Sequence, residues 1–143
     1  MIDPLANVGH AFLEIGVNCR IDAFATITGR VTLGRNCHIG TGVSIHGGDG
    51  VEIGDETTVS PGSRIFTATF DSETGHRANP QLGDRMVAKR APVKIGARCI
   101  IGAGSVVLPG SVLADDVQIG ALSLVKGKLS AGIYVGSSTL RKL

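Results

Sequence analysis

From Ile15 an aliphatic residue returns at every sixth position of the chain, with mostly small or polar residues between. Ile15, Ile21, Ile27, Leu33 and Ile39 open the units IGVNCR, IDAFAT, ITGRVT, LGRNCH and IGTGVS. A two-residue slip falls between Gly48 and Glu52, after which Ile53, Val59 and Ile65 lead IGDETT, VSPGSR and IFTATF. The beat then stops and resumes at Ile95, carried on by Ile101, Val107, Leu113, Ile119 and Val125. A helix would need a period near 3.6 and few glycines, so this pattern excludes helix from the body. A short internal period instead marks a solenoid, in which each unit buries its apolar side only against its neighbours. Three six-residue strands make one triangular turn of roughly eighteen residues, and turns stack as parallel strands about 4.8 Å apart. Taking 15–32, 33–52, 53–70, 95–112 and 113–130 as turns predicts an all-β parallel β-helix of about five turns.

Two further places in the unit are restricted. The fifth carries small or β-branched residues, among them Cys19, Ala25, Val31, Cys37, Val43, Thr57, Ser63, Thr69, Cys99, Ser105, Ser111, Val117 and Ser123. Such side chains fit a tight corner between the turns above and below. Glycine often follows the leader, as at Gly16, Gly34, Gly54 and Gly96. The expected layout is one domain over 1–143: a lead-in at 1–14, turns over 15–70 and 92–130, a loop at 71–91 and a tail at 131–143.

Composition agrees with a narrow aliphatic prism, since 43% of residues are hydrophobic but only 3% aromatic, with 21 glycines and no tryptophan. No stretch approaches the roughly 18 uninterrupted apolar residues of a spanning helix. The N-terminus, MIDPLANVGH, has no basic region followed by an apolar one, so a cytoplasmic protein without membrane insertion is expected. A net charge of +2 is too small to argue for nucleic acid, and stacking aromatics are missing. Basic residues cluster at Arg85, Lys89, Arg90 and Lys94 and again at Lys126, Lys128, Arg141 and Lys142, either as solvated surface or as phosphate contacts. Cys19, Cys37 and Cys99 share the fifth place of one face and are expected in one buried column with Thr57 between the last two. Their odd number and spacing fit neither a disulfide framework nor a zinc site, and no metal is expected.

The break reads DSETGHRANPQLGDRMVAKRAPVK, from Asp71 to Lys94. An excursion of this length from a regular solenoid usually serves binding or chemistry. His76 lies within it beside Asp71, Glu73, Arg77 and Asn79, and histidine is the side chain suited to proton transfer near neutral pH.

These features together resemble the hexapeptide-repeat acyltransferases, left-handed parallel β-helix enzymes that include the maltose, galactoside and surface-polysaccharide acetyltransferases. The likeness covers about Ile15 to Val135. Its most specific parts are APVKIGARCIIGAGSVVLPGSVLADDVQIGALSLV after the break and IYVGSS, Ile133 to Ser138, in the tail. The resemblance implies transfer of an acyl group, usually acetyl from acetyl-CoA, to a hydroxyl or amine of a saccharide or nucleotide-linked sugar. It implies a homotrimer with each active site between two prisms and a loop histidine as general base.

Counting back from APVKIG places that base on His76 in SETGH, with Asp71 or Glu73 to orient it. Counting forward from VSPGSRIFTATF places it on Phe70, which cannot take a proton; a decayed site is the other reading. The resemblance assigns Gly102, Ala103, Gly120 and Ala121 to the thioester and pantetheine arm, and Lys126, Arg141 and Lys142 to CoA phosphates. His46, in SIHGGDGVEIGDET, is similar to the histidine turn of serine acetyltransferases, making it a second candidate base. With Arg77 and Asn79 it is also a candidate acceptor contact. His38 and His10 are read as surface residues, and the four histidines lack the five-apart pair of the zinc-binding carbonic anhydrases that share the prism. A non-catalytic scaffold subunit remains the alternative from another class.

Overall fold

The computed structural model describes residues 1–69, 81, 88–137 and 140–143, with no α-helix among them. Its strands are β1 (Asn7–Ile15), β2 (Arg20–Ile21), β3 (Thr26–Leu33), β4 (His38–Ile39), β5 (Ser44–Ile53), β6 (Thr58–Val59), β7 (Arg64–Phe66), β8 (Ala68–Thr69) and β9 (Lys89–Arg90). They continue as β10 (Val93–Ile95), β11 (Ile100–Ile101), β12 (Val106–Val107), β13 (Val112–Leu113), β14 (Val117–Ile119), β15 (Leu124–Val125), β16 (Lys128–Leu129), β17 (Gly132–Val135) and β18 (Arg141–Lys142).

Each strand in the body stacks in parallel on the strand one turn earlier, so the leaders form columns. On the first face Ile21, Ile39, Val59, Ile101 and Ile119 lie in register. The second face stacks Ile27, Ile45, Ile65, Val107 and Val125. The third stacks Leu33, Ile53, Ile95, Leu113 and Leu129. Ile95 pairs directly with Ile53, just as Ile101 pairs with Val59, so the chain re-enters the stack on the third-face rung at which it would have continued after Ile65. The solenoid predicted from the sixfold beat is therefore what forms, and the core is a single aliphatic cluster running its length.

The stack has about six turns rather than about five. The segment before Ile15, expected as a lead-in, supplies an extra one: Leu13 and Ile15 pair with Val31 and Leu33, and Ile2 bridges to Ile21. Val8, Ala11 and Leu13 pack inward there, but the positions six and twelve before Ile15 are Gly9 and Asp3, so no aliphatic leader marks the turn. Ile15 itself, expected as a core leader, is 41% exposed because it sits in this terminal turn. At the other end β17 pairs with β14 and turns Tyr134 into the core, where its hydroxyl donates to Ser130 O at 2.8 Å.

The fifth-place residues are buried except Thr69, which stands half-exposed where the chain leaves the prism. Their polarity has a specific use, because hydroxyls and thiols here donate to backbone carbonyls of the next turn. Thr57 Oγ1 reaches Gly96 O at 2.8 Å, Ser63 Oγ reaches Gly102 O at 3.0 Å and Cys99 Sγ reaches Ala114 O at 3.2 Å. The expected column is present: Cys19 Sγ accepts from Cys37 N, and Thr57 Oγ1 accepts from Cys99 N. All three cysteines are free thiols.

Burial pushes the Cys37 thiol up to about 11, since a thiolate there would lose its water. A raised thiol contributes stability that is fully present below the unfolded value near 9 and is lost as pH climbs through about 11. Native protein should accordingly resist iodoacetamide at Cys37 at pH 8 and take up the label after denaturation, as read by mass spectrometry. Labelling of the native chain at the denatured rate would contradict this burial.

Candidate active site

The slip in the beat becomes a bulge. Strands β3 and β5 pair from Thr26↔Ser44 to Gly29↔Gly47 and again from Val31↔Val51 to Leu33↔Ile53. Arg30 alone therefore faces three residues, Gly48, Asp49 and Gly50, on the neighbouring strand. Two residues too many for a flat rung must leave the plane, and two of the three are glycines, which accept the distortion readily.

Immediately above this bulge the break in the repeat begins and ends. β8 and β9 pair antiparallel, Ala68 with Arg90 and Thr69 with Lys89, making a short stem out of the exit and the return. Thr67, 1% exposed, joins stem to bulge: its hydroxyl donates to His46 O at 2.8 Å and accepts from Asp49 N at 3.1 Å. Ala91 N donates to Thr67 O at 3.0 Å, fixing the return strand to the same residue. Arg90 Nε completes the junction by donating to Asp49 Oδ2 at 3.1 Å. The two irregularities of the sequence thus lie one on the other, each meeting the other's backbone groups.

His46 stands at the entrance to the bulge. Its ring stacks on Phe66 of the next turn, 5.2 Å between centroids and 5° from parallel, and Nδ1 lies 3.5 Å from Thr28 Oγ1. The imidazole is exposed on the outer surface beside the stem, in place to meet a small molecule. A groove of about 350 Å³ runs along the neighbouring face, lined by Arg30 and Thr32, by Asp49 to Glu52 of the bulge, by Pro92 to Lys94 and by Val112. Lys94 Nζ lies 3.6 Å from Glu52 Oε2 across it.

Of the residues singled out from the sequence, Asp71, Glu73, His76, Arg77 and Asn79, together with Phe70, lie outside the described residues. Gly102 and Ala103 meet Gly120 and Ala121 at one corner in adjacent turns, with Gly102 N donating to Ile119 O at 2.8 Å. Lys126 follows Val125, the second-face leader, and so belongs to the corner from which the break departs. Arg141 and Lys142 form the antiparallel strand on β17, where Lys142 Nζ lies 3.4 Å from Ser130 Oγ and 5.8 Å from the Tyr134 ring centre. The three basic residues assigned to phosphates are therefore spread over a corner and a face. His38, read as a surface residue, has a partner: its Nε2 lies 2.8 Å from Asp22 Oδ2, and this bond holds the Asp22 carboxyl below its ordinary value.

Sequence reasoning singled out neither Asp49, Thr67 nor Phe66 as site residues. The two-residue slip was the available signal for Asp49. Thr67 and Phe66 have no signal, because their role depends on the turn stacked beneath them.

Residues 13–47 and 92–127 match the family described as bacterial transferase hexapeptide (six repeats). The chain is 31% identical to the bifunctional protein GlmU of Janthinobacterium sp. over 94% of its own length, but spans only 29% of that relative. It is 33% identical to the dTDP-4-amino-4,6-dideoxy-D-glucose acyltransferase of Escherichia coli, over 87% of this chain and 67% of the other. Among solved structures, the N-acyltransferase AntD from Bacillus cereus, in complex with dTDP and 3-hydroxybutyryl-CoA, superposes with a TM-score of 0.92 at 31% identity. That match covers 99% of this chain and 77% of AntD. Repeat, register and similarity over nearly the full length agree, and the chain belongs to the bacterial hexapeptide-repeat transferases.

Proposed function

We propose that this protein transfers an acyl group from an acyl-CoA thioester to a hydroxyl or amine of a saccharide, with a nucleotide-linked amino sugar as the preferred acceptor class. The observation that carries this is the likeness to AntD across 99% of the chain, because that N-acyltransferase holds dTDP and an acyl-CoA together. The dTDP-amino-sugar acyltransferase of Escherichia coli favours the same acceptor, while the galactoside O-acetyltransferase of Lactococcus lactis, 35% identical over 80% of this chain, favours a hydroxyl. The geometry adds a reason for the site's location: a stem, a bulge and an exposed imidazole meet at one corner beside a groove.

In the proposed reaction the acceptor nitrogen or oxygen attacks the thioester carbonyl carbon. The new C–N or C–O bond forms as the C–S bond breaks, and the proton lost by the acceptor ends on the CoA sulfur. His76, neutral at working pH, takes that proton first, oriented by Asp71 or Glu73, a contribution of about 10²- to 10⁴-fold. His46, Arg77 and Asn79 contact the acceptor. Gly102, Ala103, Gly120 and Ala121 present the close backbone corner along which the pantetheine arm lies, and Lys126, Arg141 and Lys142 meet the phosphates. The working unit is a homotrimer in the cytoplasm, with each site between two prisms.

The test is release of free CoA, trapped by a thiol reagent, with acetyl-CoA and 3-hydroxybutyryl-CoA as donors and a panel of amino sugars, sugars and their nucleotide forms as acceptors. Acceptor-dependent release is expected, faster with nucleotide-linked amino sugars. Release from no acceptor, with no CoA binding by calorimetry, would defeat the reading in favour of a scaffold.

A further inference from the structure

The groove beneath the bulge has a sign that follows from its ion pairs. Its acids are Asp49 and Glu52, and each is matched: Asp49 by Arg90 at 3.1 Å, Glu52 by Lys94 at 3.6 Å. Arg30, also in the lining, has no hydrogen bond or ion pair among the described residues. What remains after pairing is one unmatched guanidinium, exposed at the mouth of a concave site. A guanidinium offers a planar fork of donors that fits two phosphate oxygens, whereas a neutral sugar would leave its charge unanswered. The volume of about 350 Å³ lies within the range of small-molecule pockets. The groove is also held in shape, because Arg90 and Thr67 tie its Asp49 wall to the stem.

We infer that this groove binds the diphosphate of a nucleotide-linked acceptor, with Arg30 as its cationic contact. The inference rests on the acyl-transfer reading for the identity of the acceptor, though not for the sign of the ligand. A diphosphate also occurs in CoA, so the two sources have to be separated. The groove lies beside the stem, on the third face, whereas the glycine corner assigned to the pantetheine arm joins the first and second faces. That placement assigns the groove to the acceptor.

The experiment is isothermal titration of thymidine diphosphate, uridine diphosphate and CoA into the full chain, its Arg30→Ala variant and its Arg30→Lys variant. At least one nucleoside diphosphate is expected to bind the unaltered protein. Its affinity should fall at least about tenfold in Arg30→Ala, the equivalent of one charge-assisted contact, and by less in Arg30→Lys. CoA affinity and the thermal midpoint should not move, since Arg30 supports no other group. The inference is overturned if neither nucleoside diphosphate binds, if Arg30→Ala binds it unchanged, or if the loss falls on CoA instead. Binding is read without turnover, so Arg30-dependent diphosphate binding in a protein that releases no CoA would sink only acyl transfer. CoA release with Arg30-independent binding would sink only this site.

Discussion

Gly54→Ala should lower the thermal midpoint by about 6–10 °C, taking an overpacking cost near the top of the usual 1–3 kcal/mol and about 2–4 °C per kcal/mol for a chain of this size. A Cβ at Gly54 would lie 2.6 Å from Ala97 N and 2.7 Å from Gly96 C, atoms of the backbone one turn on. Backbone cannot swing aside as a side-chain tip does, so the whole turn would have to rise, straining the ladder on both sides. Reduced freedom of the unfolded chain offsets the cost by at most about 1 kcal/mol. Gly9→Ala is the control, because a Cβ there meets nothing within 4 Å. Equal midpoints for the two variants would show that successive turns are not packed as tightly as this register requires.

The second large effect concerns chemistry. His76→Ala should reduce turnover with acyl-CoA and acceptor by at least about a hundredfold, the lower end of what a general base supplies, while donor affinity stays unchanged. His46→Ala should act differently, raising the acceptor KM with a smaller change in kcat, because its ring stands at the stem in contact with Phe66. Near-normal turnover in His76→Ala would remove that residue as the base. A hundredfold loss in His46→Ala with kcat carrying the change would transfer the role to His46.

Much of this molecule could be read before any coordinates. The sixfold return of Ile, Val and Leu gave the prism, its parallel stacking and the column from Cys19 to Cys99, since the leader and the fifth residue of every unit can both point inward only if the chain turns a corner once in each six residues. It missed the additional turn before Ile15, because the sixfold positions there are Gly9 and Asp3 rather than aliphatic leaders, although Val8, Ala11 and Leu13 pack inward. The candidate site was legible only in part. The break and the slip were both visible as interruptions, separated along the chain.

Composition and period by themselves determined that the chain is an aliphatic solenoid with two interruptions, because those properties are local and repeat. Only the tertiary structure decided that the interruptions touch. Stacking sets Asp49 beneath Arg90 and Thr67 against His46, contacts between residues 41 and 21 positions apart that no spacing rule links. The same stacking matched two acids of the groove and left Arg30 unmatched, and a charge balance of that kind depends on which side chains come within reach of one another.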